Sequence, residues 1–423
     1  MAFADKYLSK QRLYPEYISK PPHKDLRLVV TIPCYDEPDL ISSLEALWNC
    51  DRPSCAVEVI VVVNSGEEAS QEALDQNIKT VDQAQKWVLS HFDERMSFHI
   101  LHQKDMPRKF AGVGLARKIA MDEAVSRFNQ LDRGNGIVTG FDADSGCDAN
   151  YLVEIEKCFL SHPKANGANV FYEHPLQGDE YSPEVYKAIA QYELYLRYYM
   201  LAMRYSGHPH AYHTVGSSFG VTATAYIKQG GMNRRQAGED FYFLQKIIPL
   251  GNFHEIRTTR VIPSPRTSDR VPFGTGKAIT TFLSEGIVDY QTYNYAAFKD
   301  LKVLFDKVDL FYRVDYDKYL NKLLVDLPGP VRSFLKEDNF FHALELINKN
   351  CASIEMFRKK FFDAFNAFKV LKYLNNVHDQ FIQKESIVVC ARMLMNDLGW
   401  DTTGIYSAKE LLELYRKYER ELE

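Results

Sequence analysis

The chain has little of what marks special protein classes. With 22 glycines and 17 prolines in 423 residues, it has neither the repeat of a collagen nor the bias of a disordered segment. No Cys-x-x-Cys pair occurs among its seven cysteines, Cys34, Cys50, Cys55, Cys147, Cys158, Cys351 and Cys390. Their odd count and irregular spacing exclude a zinc ribbon or an evenly paired disulfide scaffold, and predict reduced thiols in a cytoplasmic protein. Apolar runs reach only strand length, and the first residues, MAFADKYLSKQRLYPEYISKPPHKD, lack the apolar core of a secretory signal. A transmembrane span is therefore not expected, which leaves peripheral contact at the inner membrane face as the closest approach to a bilayer. Basic blocks are missing too: 51 Lys and Arg stand against 56 Asp and Glu, a formal charge of −5, so nucleic acid is not an expected partner.

What is present is an alternation of strand and helix signals. Leu26 to Ile32 is a β-branched run ended by Pro33, and helix-spaced Leu40, Leu44 and Leu47 follow. Val57 to Val63 is continuously apolar, as a strand buried on both faces must be, and ends in Asn64-Ser65-Gly66. A polar helix from Ser70 to His91, a strand at Phe98 to Leu101, a helix from Gly112 to Phe128 and a strand at Gly136 to Phe141 continue the order. This predicts a doubly wound α/β domain over residues 26–280, after a polar leader of residues 1–25. From Lys277 onward helical periodicity takes over, so residues 281–423 are expected to form a smaller helical unit ending in the amphipathic SAKELLELYRKYERELE.

Open sheets of this kind bind ligands beyond the carboxyl ends of their strands, which directs attention to the loops after Ile32, Val63 and Phe141. The last carries Asp142-Ala143-Asp144, two carboxylates able to hold a hard divalent cation. A second such triplet, Asp315-Tyr316-Asp317, lies in the helical region and is set aside on position, because chance alone supplies short motifs of this kind. Gly238-Glu239-Asp240 places adjacent acids at a helix start, where a capping role competes with a chemical one. His208, His210 and His213 lack the helical pairing or cysteines of a zinc site. Tyr192, Tyr195, Tyr198, Tyr199 and Tyr205 read first as packing and second as sugar-stacking rings. Gly112-Val113-Gly114 falls short of a dinucleotide fingerprint.

In order, Pro33-Cys34-Tyr35-Asp36-Glu37, Leu115-Ala116-Arg117-Lys118, Asp142-Ala143-Asp144, Gly216-Ser217-Ser218-Phe219 and Gly238-Glu239-Asp240 resemble the family 2 glycosyltransferases with the GT-A fold. The resemblance implies a GT-A-like, Rossmann-type domain with a mostly parallel central sheet, and an inverting transfer from a nucleoside-diphosphate sugar to a hydroxyl acceptor, saccharide or lipid-linked. It implies a nucleobase pocket shaped by Pro33, Tyr35, Glu37 and Asn64. The amide of Asn64, where many relatives carry an acid, leaves GDP-sugars beside the favoured UDP-sugars. Arg117 and Ser217 are placed with the donor, Asp142 and Asp144 with Mn²⁺ or Mg²⁺, Asp240 as general base, and Glu239 as its or the acceptor's positioner. Arg266 and Arg270, with Lys277, lie in the Pro263 to Lys277 segment that relatives fold over the diphosphate. Two other readings stand beside it. A sugar-1-phosphate nucleotidyltransferase needs a Gly-rich basic loop that TIPCYDEPDL lacks. A catalytically silent nucleotide-sugar-binding or scaffold protein would keep the acids for binding alone.

Overall fold

A computed structural model of the protein describes residues 2–270, 274–314 and 324–422. Val271, Pro272 and Phe273 of the expected donor loop, and the second triplet Asp315-Tyr316-Asp317, lie outside the described residues. By packing, the chain divides into one unit of residues 1–186 with 213–281 and another of residues 187–212 with 282–423.

The first unit runs α1 (Asp5–Gln11), β1 (Leu26–Cys34), α2 (Leu40–Trp48), β2 (Ala56–Gly66), α3 (Gln71–Ser90), β3 (Met96–Met106), α4 (Val113–Gln130), β4 (Ile137–Gly140), β5 (Gly146–Cys147), α5 (Tyr151–Ser161) and β6 (Gly167–Tyr172). After α6 (Pro183–Tyr205), which belongs from Lys187 to the second unit, come β7 (Phe219–Thr222), α7 (Ala223–Lys228), α8 (Glu239–Ile247), β8 (Phe253–Ile262) and α9 (Thr275–Glu285), whose last residues from Phe282 belong to the second unit. The eight strands form one sheet in the order β3-β2-β1-β4-β7-β6-β8-β5. The four strands from β3 to β4 are mutually parallel, as the apolar runs predict; β7 then enters antiparallel, and β6 and β8 pair in parallel beyond it. The fold is thus the expected α/β class with a GT-A-like, mostly parallel sheet. β1 and β2 are buried along almost their whole length, because α4 packs against both, α3 packs against β2, and Leu40, Leu44 and Leu47 of α2 join the same core.

The leader is more than a polar extension. Ala4 and Tyr7 are buried against α4, with the Tyr7 hydroxyl donating to Asp122 (2.8 Å) and Lys118 Nζ donating to Tyr7 (3.1 Å). α4 itself is buried almost all round, including five charged side chains, Arg117, Lys118, Asp122, Glu123 and Arg127, that each find a partner. One of them, Arg127, meets Glu58 of β2 through two bonds of 2.8 and 2.6 Å.

In the second unit the tyrosines of α6 pack ring against ring: Tyr195 on Tyr290, Tyr198 and Tyr199 on Phe298, Tyr205 on Tyr295. Tyr198 is a core residue, and Tyr195, Tyr199 and Tyr205 are partly buried beside it. The terminal helix Ala408–Glu421 opens with a Ser407/Glu410 capping box and buries Leu411, Leu412 and Tyr415. Among the described residues no helix is long and apolar enough to cross a membrane.

The Arg127–Glu58 pair allows a direct check of the packing. Arg127→Met is expected to lower stability by about 3 kcal/mol, since it leaves Glu58 charged and buried without its partner. Urea unfolding of Arg127→Met and of Arg127→Met/Glu58→Gln measures this; the double variant should recover part of the loss, and a single variant as stable as the parent contradicts the account.

Candidate active site

The parallel register brings three strand ends side by side. Cys34 of β1 lies opposite Val63 of β2, and Thr31 of β1 opposite Gly140 of β4. The loops that follow carry Tyr35 to Glu37, Asn64 to Gly66, and Asp142 to Asp144. They open on one cavity of about 650 Å³, a volume in the range of nucleotide-sized ligands. Pro33, Tyr35, Glu37 and Asn64 line it, as do Arg117, Asp142 and Asp144. So do Glu239 and Asp240 from the start of α8, and Arg266 and Arg270 from the segment after β8. Ser217 does not: it is fully buried, its hydroxyl 3.4 Å from that of Ser218. Lys277 also stands apart, half-buried and paired with Asp269 at 2.9 Å.

Two arginines organise the acids. Arg117, wholly buried in α4, donates from Nη2 to Asp142 (3.0 Å), from Nε to Glu239 (3.1 Å) and from Nη1 to the carbonyl of Gly216 (2.6 Å). Glycine makes room for it: a Cβ on Gly140 would sit 2.9 Å from Nη1, and one on Gly216 2.8 Å from Nη2 and 3.0 Å from an Asp240 oxygen. Arg266 is the second organiser. It grips the buried Glu37 with both terminal nitrogens, Nη1 at 3.0 Å, and reaches Asp144 at 2.6 Å. Arg270 adds a contact to Glu37 (3.1 Å) and one to the carbonyl of Tyr35 (3.1 Å).

Burial and these neighbours set the protonation of the acids. Glu239 is pushed up to about 7, by burial first and then by the charge of Asp240, against the pull of Arg117. Asp240 is also raised, by burial, with Arg117 opposing. Asp144 is pushed up to about 6 by burial, with Arg266 resisting and Asp142 and Glu37 adding repulsion. Glu37 moves the other way. Burial works to raise it, but Arg266 and the Asp39 N–H hold it below the ordinary carboxylate range.

Asp142 and Asp144 each commit one oxygen to an arginine, and the other is left without a hydrogen bond among the described residues. Two hard carboxylate oxygens on one short loop suit Mn²⁺ or Mg²⁺, with ligand oxygens and water completing the shell. Among the described residues no group of three or more His, Cys, Asp or Glu side chains converges as a ready-made metal cage. The histidines accordingly have other surroundings: His208 bonds the Phe365 carbonyl at 3.0 Å, and the His213 ring packs edge-on to Tyr172.

Some supports are invisible to motif reading. Asn77, fully buried on α3, accepts from the Asp36 N–H and donates to the carbonyl of Asn64, both at 2.9 Å, so that one side chain ties two cleft loops. Its signal was a polar residue in the stripe of Ala73, Thr80, Ala84 and Trp87 that α3 buries. Gly112 and Gly114 also gain a reason. A Cβ on Gly114 would meet the Arg235 carbonyl at 2.3 Å, and one on Gly112 the Gln236 Cα at 2.9 Å, so both are close-approach positions for the segment leading to α8.

No protein-family model and no curated protein matches the chain. Solved structures that resemble it include S. aureus TarS 1–349 in complex with UDP-GlcNAc, at 13% identity over 80% of this chain and 91% of that one, with a TM-score of 0.39. Another is the mannosyltransferase PcManGT from Pyrobaculum calidifontis in complex with GDP-Man and Mn²⁺, at 15% identity over 99% and 92% of the two chains, with a TM-score of 0.35.

Asp144 offers a test that needs no substrate. A carboxyl whose folded value, about 6, lies above its ordinary 3.8 costs stability when ionised; that cost is absent near pH 4 and complete above about 6. Asp144→Asn, which leaves Arg266 its Glu37 partner, is expected to melt a few degrees above the parent at pH 7.5 and level with it at pH 4. Calorimetric scans at both pH values decide, and a lower melting point at pH 7.5 contradicts the assignment.

Proposed function

We propose that the protein is a metal-dependent, inverting glycosyltransferase that moves a sugar from a nucleoside-diphosphate sugar to a hydroxyl acceptor. One observation carries the reading: Arg117 gathers Asp142, Glu239 and the neighbourhood of Asp240 at the same cavity in which Asp144 meets Arg266.

The cleft divides the work by chemistry. Tyr35 and Asn64 serve the nucleobase, a ring to stack on and an amide that makes no hydrogen bond within the described chain. Glu37 supports this region indirectly, since its carboxylate is taken up by Arg266 and Arg270. Asp142 and Asp144 hold Mn²⁺ or Mg²⁺, which when bound neutralises charge on the diphosphate. Arg266 and Arg270 supply the protein's own positive charge to the phosphates. Their present grip on Glu37 keeps them extended toward the cavity before a ligand arrives, so little ordering remains to be done on binding.

At the reacting end the two adjacent acids are unequal. Glu239 is tied to Arg117, so it positions; Asp240 has no arginine on its carboxylate at salt-bridge distance among the described residues. Burial raises Asp240 toward the working pH, which suits a base. The acceptor oxygen attacks the anomeric carbon as its proton passes to Asp240. The bond from that carbon to the diphosphate oxygen breaks with its electron pair leaving on the nucleoside diphosphate, and the configuration inverts. UDP-sugars are the favoured donors, with GDP-sugars next.

Asp240→Asn is expected to lower kcat by about 10²- to 10⁴-fold while calorimetry shows nucleotide binding unchanged. A panel of nucleotide sugars with Mn²⁺, read by diphosphate release, measures the first. Asp142→Asn should instead abolish the metal dependence of nucleotide binding. If no UDP- or GDP-sugar binds the parent in a metal-dependent way, the enzyme reading fails; equal turnover by Asp240→Asn removes the base.

A further inference from the structure

A second set of charges, unused by the donor chemistry, sits at the lip of the cleft. Residues 107–112 precede α4, and residues 232–238 precede α8. The two stretches are fastened together: Gly114 N–H donates to the Arg235 carbonyl (3.2 Å) and Gln236 Nε2 to that of Arg108 (2.9 Å). Lys109, Arg234 and Arg235 are exposed there, and none has a carboxylate within salt-bridge distance among the described residues. Two acids of the adjoining loop are engaged by Arg108, Glu68 by its guanidinium (2.9 Å) and Glu67 by its N–H (2.9 Å).

Aromatic rings hold these cations instead. The Arg234 guanidinium lies 4.0 Å over Phe110, that of Arg235 lies 3.5 Å over Tyr242, and the Lys109 ammonium is 5.4 Å from the Phe110 ring. Stacking on a ring fixes a cation's direction without cancelling its charge. In a chain of net charge −5, three uncancelled cations on two fastened turns are a local reversal of sign. Their place in the chain ties them to the reacting end: Tyr242 lies two residues after Asp240 in α8, and Gln236 and Ala237, the residues after Arg235, line the same cavity as Asp240.

We infer that the acceptor carries an oxyanion, phosphate or carboxylate, close to its accepting hydroxyl, and that Lys109, Arg234 and Arg235 bind it. The inference rests on Asp240 marking the acceptor side, as proposed above. The planar guanidinium forks of the two arginines match either oxyanion through paired hydrogen bonds, and the lysine adds a mobile point charge. A neutral saccharide would leave all three cations without an electrostatic role.

The test uses the full chain with UDP or GDP and Mn²⁺, and three fluorescent probes: a glycerol phosphate oligomer, a uronic-acid oligosaccharide and a neutral oligosaccharide. Fluorescence anisotropy is expected to show one or both anionic probes bound at least about tenfold more tightly than the neutral one, with affinity falling as salt rises. Which anionic probe wins identifies the oxyanion. Arg234→Ala/Arg235→Ala should lose about tenfold for that probe and flatten the salt dependence, while Arg234→Lys/Arg235→Lys retains most of the binding. Unchanged nucleotide affinity in each variant shows that the cleft is intact. Anionic probes that bind no better than the neutral one, or an alanine variant that binds them like the parent, overturn the inference alone. Failure of the parent to bind UDP or GDP overturns the glycosyl-transfer reading and this inference with it.

Discussion

The cleft depends on a single buried guanidinium. Arg117 leaves the body of α4 and bonds a side chain on the loop after β4, a side chain at the start of α8 and the backbone before β7. A buried cation is costly unless every donor is satisfied. Its pairing is therefore an all-or-none condition on the fold, and the surrounding residues meet it: burial works to weaken the protonated state, while Asp142, Glu239 and Asp240 more than restore it. Gly140 and Gly216 keep the space clear, because any side chain there would collide with the guanidinium or its partners. Asp122, Lys118 and Tyr7 meanwhile fasten the same helix to the leader, so the residues before β1 help hold the helix from which Arg117 reaches the cleft.

Arg266 repeats the device at the second aspartate of the same loop. Each arginine holds one aspartate of the Asp142-Ala143-Asp144 loop, and each leaves that aspartate an oxygen to spare. The result is a loop pre-formed by protein cations in the position where a divalent ion and phosphates are proposed to enter. Burying these acids, and to a lesser degree crowding them together, costs stability, visible in the upward shifts of Asp144, Asp240 and Glu239. Such tension between folding and chemistry is usual where ionisable groups are tuned for a reaction.

Much of the architecture was legible because its signals are local. Continuous apolar runs marked β1 and β2, helix-spaced leucines marked α2, and the turn residues after each strand marked the cleft loops. The strand at Met96–Met106 runs well past the Phe98 to Leu101 core that apolarity alone outlined, since pairing with β2 carries the polar His102 and Gln103 along and the strand ends on the buried Met96 and Met106. Ser217 was drawn to the donor by its neighbours in sequence, yet its side chain turns into the core and only Gly216 reaches the cavity. Glu37 lines the cavity with the rest of its loop, and its carboxylate meets two arginines more than two hundred residues away.

The amino-acid order by itself determined which segments become strand or helix and which loops carry acids, because periodicity and turn chemistry act over a few residues. It also determined that Asp142 and Asp144 share one loop and that Glu239 and Asp240 open one helix. Only the tertiary structure decided that Arg117 joins those two pairs, that Arg266 closes on Glu37 and Asp144, and that Lys109, Arg234 and Arg235 keep their charge at one lip. Those are choices of partner between residues far apart in the chain. They follow from how the sheet and its helices bring side chains together and from the high cost of leaving a buried charge unpaired, and no local pattern encodes them.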